Sequence, residues 1–153
     1  MSEQQHDFIG DVRTFMSAAC TTDDFNIRQT ALYIGLQAEE LAEKMEAMGL
    51  RDYATILHNI SARFKKAEHD NDVFFADREK LLDADADIAW VTVGSMYSQG
   101  ADVYGALKEV ARANNSKVLP NGTVIRDESG KIQKPAGFTP PDLTPFVNKG
   151  MAK

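Results

Sequence analysis

At 153 residues the chain has the length of one ordinary domain, and its 43% hydrophobic and 26% charged residues are the balance of a soluble globular protein. A net charge of −6 argues against a nucleic-acid-binding surface, and no run approaches the roughly 18–20 apolar residues of a membrane helix. Cys20 is the only cysteine, which excludes an intrachain disulfide and a thiolate metal cage. The start, Met1-Ser2-Glu3-Gln4-Gln5-His6-Asp7, is polar and acidic and does not read as a signal peptide, so a reducing, cytoplasmic setting is expected.

Five helices are expected in chain order. The first covers about residues 7–19. The second begins at Asn26, where Asn26 and Gln29 have capping-box spacing, and runs to the C′ glycine Gly49. The third spans about 52–69 and is followed by a turn at Asp70-Asn71-Asp72. A fourth covers about 78–99 and is stopped by Gly100, and Asp102 caps a fifth that ends near Asn115. No proline occurs before Pro120, which suits long helices because proline breaks their interiors.

All five prolines (Pro120, Pro135, Pro140, Pro141, Pro145) fall in the remainder. The expected organisation is a helical catalytic domain over 1–119 and a Pro/Gly-rich tail over 120–153. In the tail, Thr123-Val124-Ile125-Arg126 and Lys131-Ile132-Gln133-Lys134 flank Ser129-Gly130, the pattern of a short hairpin. Such a hairpin is marginal alone, so the tail is expected to lie on the helical body or on a neighbouring subunit.

Two helices place acids where apolar residues are expected. On the second, Ile34, Ala38, Leu41, Met45 and Met48 form an apolar stripe, and the neighbouring row reads Leu32, Leu36, Glu40, Glu43, Ala47. On the fourth, Leu82, Ala86, Ala89, Val93 and Met96 form the stripe, and beside it run Asp83, Asp87, Trp90, Gly94 and Tyr97. At about 100° per residue these five stay within roughly 40° of one direction. Converging carboxylates repel unless cations lie among them, and Mg²⁺ or Mn²⁺ takes oxygen ligands shared with water and phosphate. The plainer alternative is a pair of solvated helix faces, where such spacings are common.

The stretch Glu39-Glu40-Leu41-Ala42-Glu43 resembles the Glu-Glu-x-x-Glu motif of MazG-like, all-α nucleoside triphosphate pyrophosphohydrolases. Asp83-Ala84-Asp85-Ala86-Asp87-Ile88-Ala89-Trp90 is similar to their second acidic motif, and Glu109-Val110-Ala111-Arg112-Ala113-Asn114-Asn115-Ser116-Lys117 to their Glu-Val-x-x-x-Asn-x-x-Lys signature. The tail, from Pro120-Asn121-Gly122-Thr123 through Thr139-Pro140-Pro141-Asp142-Leu143, resembles the phage and bacterial branch labelled phosphoribosyl-ATP-pyrophosphohydrolase-like. Where much of the family has Glu-x-x-Asp, this chain has Ala84, so Asp83 must supply the carboxylate from one residue earlier. An i,i+4 pair still shares a helix face.

The resemblance implies an all-α, four-helix-bundle arrangement with a C-terminal hairpin or loop tail. By the same resemblance Glu40, Glu43, Asp83 and Asp87 are metal ligands for Mg²⁺ or Mn²⁺. Glu39 is a further ligand or a base that orients water, with Glu40 beside it in the catalytic set, and Asn114 and Lys117 meet the substrate's phosphates. Asp85 lies about 200° from Asp83 and Asp87 along the helix and is expected in solvent. Trp90 and Tyr97 are read first as core residues and second as walls of a nucleotide pocket. His58 and His69 are read as ordinary histidines, and Arg63, Lys65 and Lys66 as a solvated cluster with a possible phosphate role.

The expected reaction is hydrolysis of a (deoxy)nucleoside triphosphate, such as the purine deoxynucleotide dGTP, to the monophosphate and pyrophosphate. The partners expected are the nucleotide and further copies of the chain, a homo-oligomer and by resemblance a tetramer, with no nucleic acid and no membrane. No glycine-rich phosphate loop of the form GxxxxGK or GxGxxG occurs, which argues against a kinase or motor ATPase. Two alternatives stay open: phosphoribosyl-ATP as substrate, and a non-catalytic helical assembly or regulatory subunit.

Overall fold

The computed structural model describes residues 7–19, 24–66, 77–127 and 131–147. The fold is all-α. Among the described residues five α-helices occur in order, α1 (Phe8–Ala19), α2 (Ile27–Ala47), α3 (Arg51–Lys65), α4 (Arg78–Ser98) and α5 (Val103–Asn115), followed by a 3-10 turn at Thr144–Phe146. The Asp70-Asn71-Asp72 turn, the Ser129-Gly130 turn, Cys20 and His69 lie outside the described residues. The chain divides into two compact units, Thr22–Asp83 and a second made of Met1–Thr21 with Ala84–Lys153. The described tail residues, 120–127 and 131–147, fall in the same unit as α1 and α5.

In the first unit α2 and α3 form an antiparallel hairpin. Asn26 caps α2, its side chain accepting from the Arg28 and Gln29 amides. Gly49, at φ +78°, ends it: the Leu50 amide reaches back to the Met45 carbonyl, a Schellman closure that L residues resist. The contact with α3 is made by the smallest side chains, with Ala31, Gly35 and Ala42 of α2 and Ala54 and Ser61 of α3 all buried. At Gly35 the backbones approach so closely that a Cβ would lie 3.1 Å from both the Ser61 carbonyl oxygen and the Lys65 nitrogen. Large apolar residues expected in the stripe are left outside: Leu41 is 44% and Met48 64% exposed.

In the second unit α1 packs on α5, and the Asn115 side chain donates to the Asp11 carbonyl at 3.3 Å. α5 buries Val103, Ala106, Ala111 and Ala113. The expected hairpin is reduced to two isolated antiparallel bridges, Val118 with Val124 and Arg126 with Ile132. Arg126 is tied to the Ala19 carbonyl at the end of α1. After a tight turn the chain runs backwards along α5 as a strap. Thr139 and the Pro140 carbonyl accept from Arg112, the Asp142 amide donates to Glu109 at 3.1 Å, and Phe146 accepts from the Asp102 amide at 2.9 Å. The Phe146 ring fills the space over Gly105 where a Cβ would stand.

α4 is the exception. The division between the units, at Asp83/Ala84, falls within it, it packs on no other helix among the described residues, and none of its described residues is buried.

Two glycines give opposite expectations. Gly35→Val wedges α2 from α3 and should destabilise the chain by about 1–3 kcal/mol. Gly94, in mid-α4, has nothing within 4 Å of a Cβ, so Gly94→Ala should stabilise by roughly 0.5–1 kcal/mol through helix propensity. Thermal denaturation of both variants checks the pair, and equal shifts would contradict the close crossing.

Candidate metal and phosphate site

Because Ala31, Gly35 and Ala42 define the side of α2 that meets α3, the direction of every other α2 residue follows at about 100° per step. Glu40 points roughly 160° and Glu43 roughly 100° away from that side, and both are exposed. The row that looked like a continuation of the core is thus the helix face turned away from α3. Glu39, only about 60° from the contact side, reaches across it to form an ion pair with Lys65. Glu46 and His58 make a second cross-helix link at 2.9 Å.

Asp83 and Asp87 lie one helical turn apart on α4, both exposed, with Asp85 also in solvent. Trp90 is 80% and Tyr97 47% exposed. The core role expected for these two aromatics is not found, because α4 packs on no other helix among the described residues. Both carboxylate pairs supply oxygen donors that solvent can reach, the ligand type that Mg²⁺ and Mn²⁺ prefer. Among the described residues no three His, Cys, Asp or Glu side chains gather into a group able to hold a metal ion, so either pair alone is a partial ligand set.

The end of α5 carries the other candidates. Lys117 donates to the Asn114 side-chain oxygen at 2.8 Å, both half-buried, and its ammonium lies 5.7 Å from the centre of the Phe138 ring. Lys134 approaches the same ring at 5.2 Å. Asn114 and Lys117 are therefore joined as one unit on the last turn of the helix. Lys134 escaped the sequence reading, although Pro135 and Gly137 on its C-terminal side signal the turn that brings it back.

Glu109, the first residue of the third motif, binds the tail. Arg112 grips its carboxylate with two bonds, 2.9 Å from Nε and 2.7 Å from a terminal nitrogen, and the Asp142 amide adds a third. These bonds, the Arg112 pair first and the Asp142 amide second, hold the Glu109 carboxyl down to about 2. The same pair raises the Arg112 guanidinium above its ordinary value. Comparison with known protein families, with characterised proteins and with solved structures gives no match.

The Glu109 shift sets an acid limit on the strap. Arg112 shares α5 with Glu109 and lowers its carboxyl with or without the strap. Only the lesser share supplied by the Asp142 amide favours docking, and it does so while the carboxyl is ionised. That contribution falls away as pH drops from 4.5 towards about 2 and is absent below. Amide hydrogen exchange in residues 139–146 should quicken relative to α5 over this window, whereas Glu109→Gln should show weaker protection at neutral pH and no such acid step.

Proposed function

We propose that this chain is a metal-dependent nucleoside triphosphate pyrophosphohydrolase that assembles with copies of itself. The observation that carries the reading is that Glu40 and Glu43 are exposed on the side of α2 turned away from α3, and that Asp83 and Asp87 are exposed one turn apart on α4. The Gly35 crossing could have left these acids anywhere on α2, and it turns them outward together. The resemblance of the three ordered motifs supports the same chemistry.

Glu40, Glu43, Asp83 and Asp87 would hold the cation. When bound, Mg²⁺ or Mn²⁺ supplies neutralising charge for the phosphate oxygens and lowers the pKa of an attacking water. Glu39 orients that water, and Lys65 beside it offsets the extra negative charge of three acids on one helix segment. Asn114 and Lys117 bind the terminal phosphates, Lys117 as a point charge. Water adds to the α-phosphorus, the bond to the α–β bridging oxygen breaks, and that oxygen leaves with pyrophosphate.

Self-assembly is supported by the uncovered apolar residues. Tyr53, Ile56 and Ile60 share one side of α3, and Leu82, Trp90 and Val91 lie along α4, with Leu82 72% exposed. Large exposed apolar side chains are what copies of a chain bury against one another.

A deoxynucleoside triphosphate with Mg²⁺ should give the monophosphate plus pyrophosphate in one step, with orthophosphate appearing only after pyrophosphatase is added. Stepwise orthophosphate release through a diphosphate would overturn the mechanism, and a preference for phosphoribosyl-ATP in the same panel would reassign the substrate. Glu40→Gln and Asp83→Asn should each abolish turnover with helical circular dichroism intact. Near-normal activity in both would remove the metal site.

Light scattering at micromolar concentration should return a multiple of 16.9 kDa, and a monomer would reject the assembly.

A further inference from the structure

We infer that Lys134, carried by the tail, is a second phosphate-binding lysine that acts beside Lys117, so that the tail forms part of the polyphosphate subsite. The inference rests on the proposed function for the identity of the nucleotide but not for the anion site itself.

The local chain explains why Lys134 is where it is. Pro135, Ala136, Gly137 and Phe138 form a turn closed by the Phe138 amide donating to the Pro135 carbonyl at 3.1 Å. Gly137 takes φ +86°, the position of a type II turn where a side chain is strained. The turn folds Lys134 back over the aromatic ring of Phe138, four residues on, with its ammonium 5.2 Å from the ring centre. On the far side of the turn the strap begins, anchored to α5 through Arg112 and Glu109. The lysine is thus placed over the Phe138 ring by a turn whose far end is anchored to α5.

Two ammonium groups are then gathered on one ring, each within the range of about 6 Å for a cation–π contact. The ring stabilises each cation modestly. Lys117 has Asn114 as a hydrogen-bond partner, whereas Lys134 is exposed and makes no ion pair among the described residues. Arg112, the next cation along α5, is taken by Glu109. In a chain of net charge −6, the exposed Lys134 and the half-buried Lys117, each within reach of one ring, are suited to an anion that contacts both. A chain of phosphates with several charged oxygens matches two separated point charges better than a single carboxylate does.

The test uses the full chain and inorganic tripolyphosphate as probe, measured by titration calorimetry without metal, with nucleotide turnover measured in parallel. Lys134→Ala should weaken tripolyphosphate about tenfold. Gly137→Ala, which strains the turn without removing charge, should weaken it in the same direction. Lys131→Ala, an equal loss of charge three residues away, should change it less than twofold. In turnover assays Lys134→Ala should raise KM about tenfold with kcat little altered. Wild-type affinity in Lys134→Ala, an equal loss in Lys131→Ala, or no tripolyphosphate binding by the unaltered protein would each overturn the subsite. Tripolyphosphate binding that depends on Lys134 in a protein without nucleotide turnover would uphold the subsite and reject the enzymatic reading. Turnover unaffected by Lys134→Ala would do the reverse.

Discussion

The close crossing of α2 and α3 at Gly35 sets the geometry of the first unit. Once a glycine and two alanines are committed to that contact, the helix has one permitted rotation, and every acid on α2 takes its direction from it. Glu39 is directed to Lys65, while Glu40 and Glu43 are turned outward as a pair. A helix sealed by larger residues would stand farther from its neighbour, and the Glu39–Lys65 link would have to span a wider gap.

The same economy of side-chain size leaves an imbalance. The buried hydrophobic residues are alanines with one valine, while tyrosine, isoleucine, leucine and tryptophan side chains remain at the surface. Burying an alanine contributes far less than burying a leucine, at about 25 cal/mol per Å² of apolar surface. Small residues at helix contacts and large ones outside is the arrangement on which the proposed self-assembly rests. α4, which packs on no other helix among the described residues, is the plainest case.

Helix positions were legible in the sequence because their terminators are local: Asn26, Gly49, Gly100 and Asp102 each act within four residues, and each stands where a helix begins or ends. The buried face of α2 was not legible. Hydropathy favours Leu41 and Met48 over Gly35, but close helix contacts select for small volume, and only the partner helix reveals that. The same limit explains Trp90 and Tyr97, whose apolar character promised a core that this unit does not provide. At the candidate site, i,i+3 and i,i+4 spacing showed that the acids share a face but not which way it points. The strap was invisible for a different reason: its partners are 27–33 residues apart in sequence, and no periodicity links Arg112 to Thr139 or Glu109 to Asp142.

The strap is also chemically blunt towards other chains. Pro140, Pro141 and Pro145 carry no amide hydrogen, and the Asp142 and Phe146 amides are already engaged with Glu109 and the Leu143 carbonyl. An extended segment running along a helix offers the shape of an edge strand, the usual template for unwanted β-pairing. With so few donors left to offer, a neighbouring chain cannot add itself as a further strand, and this exposed length of backbone resists recruitment into aggregates while its contacts to α5 stay intact.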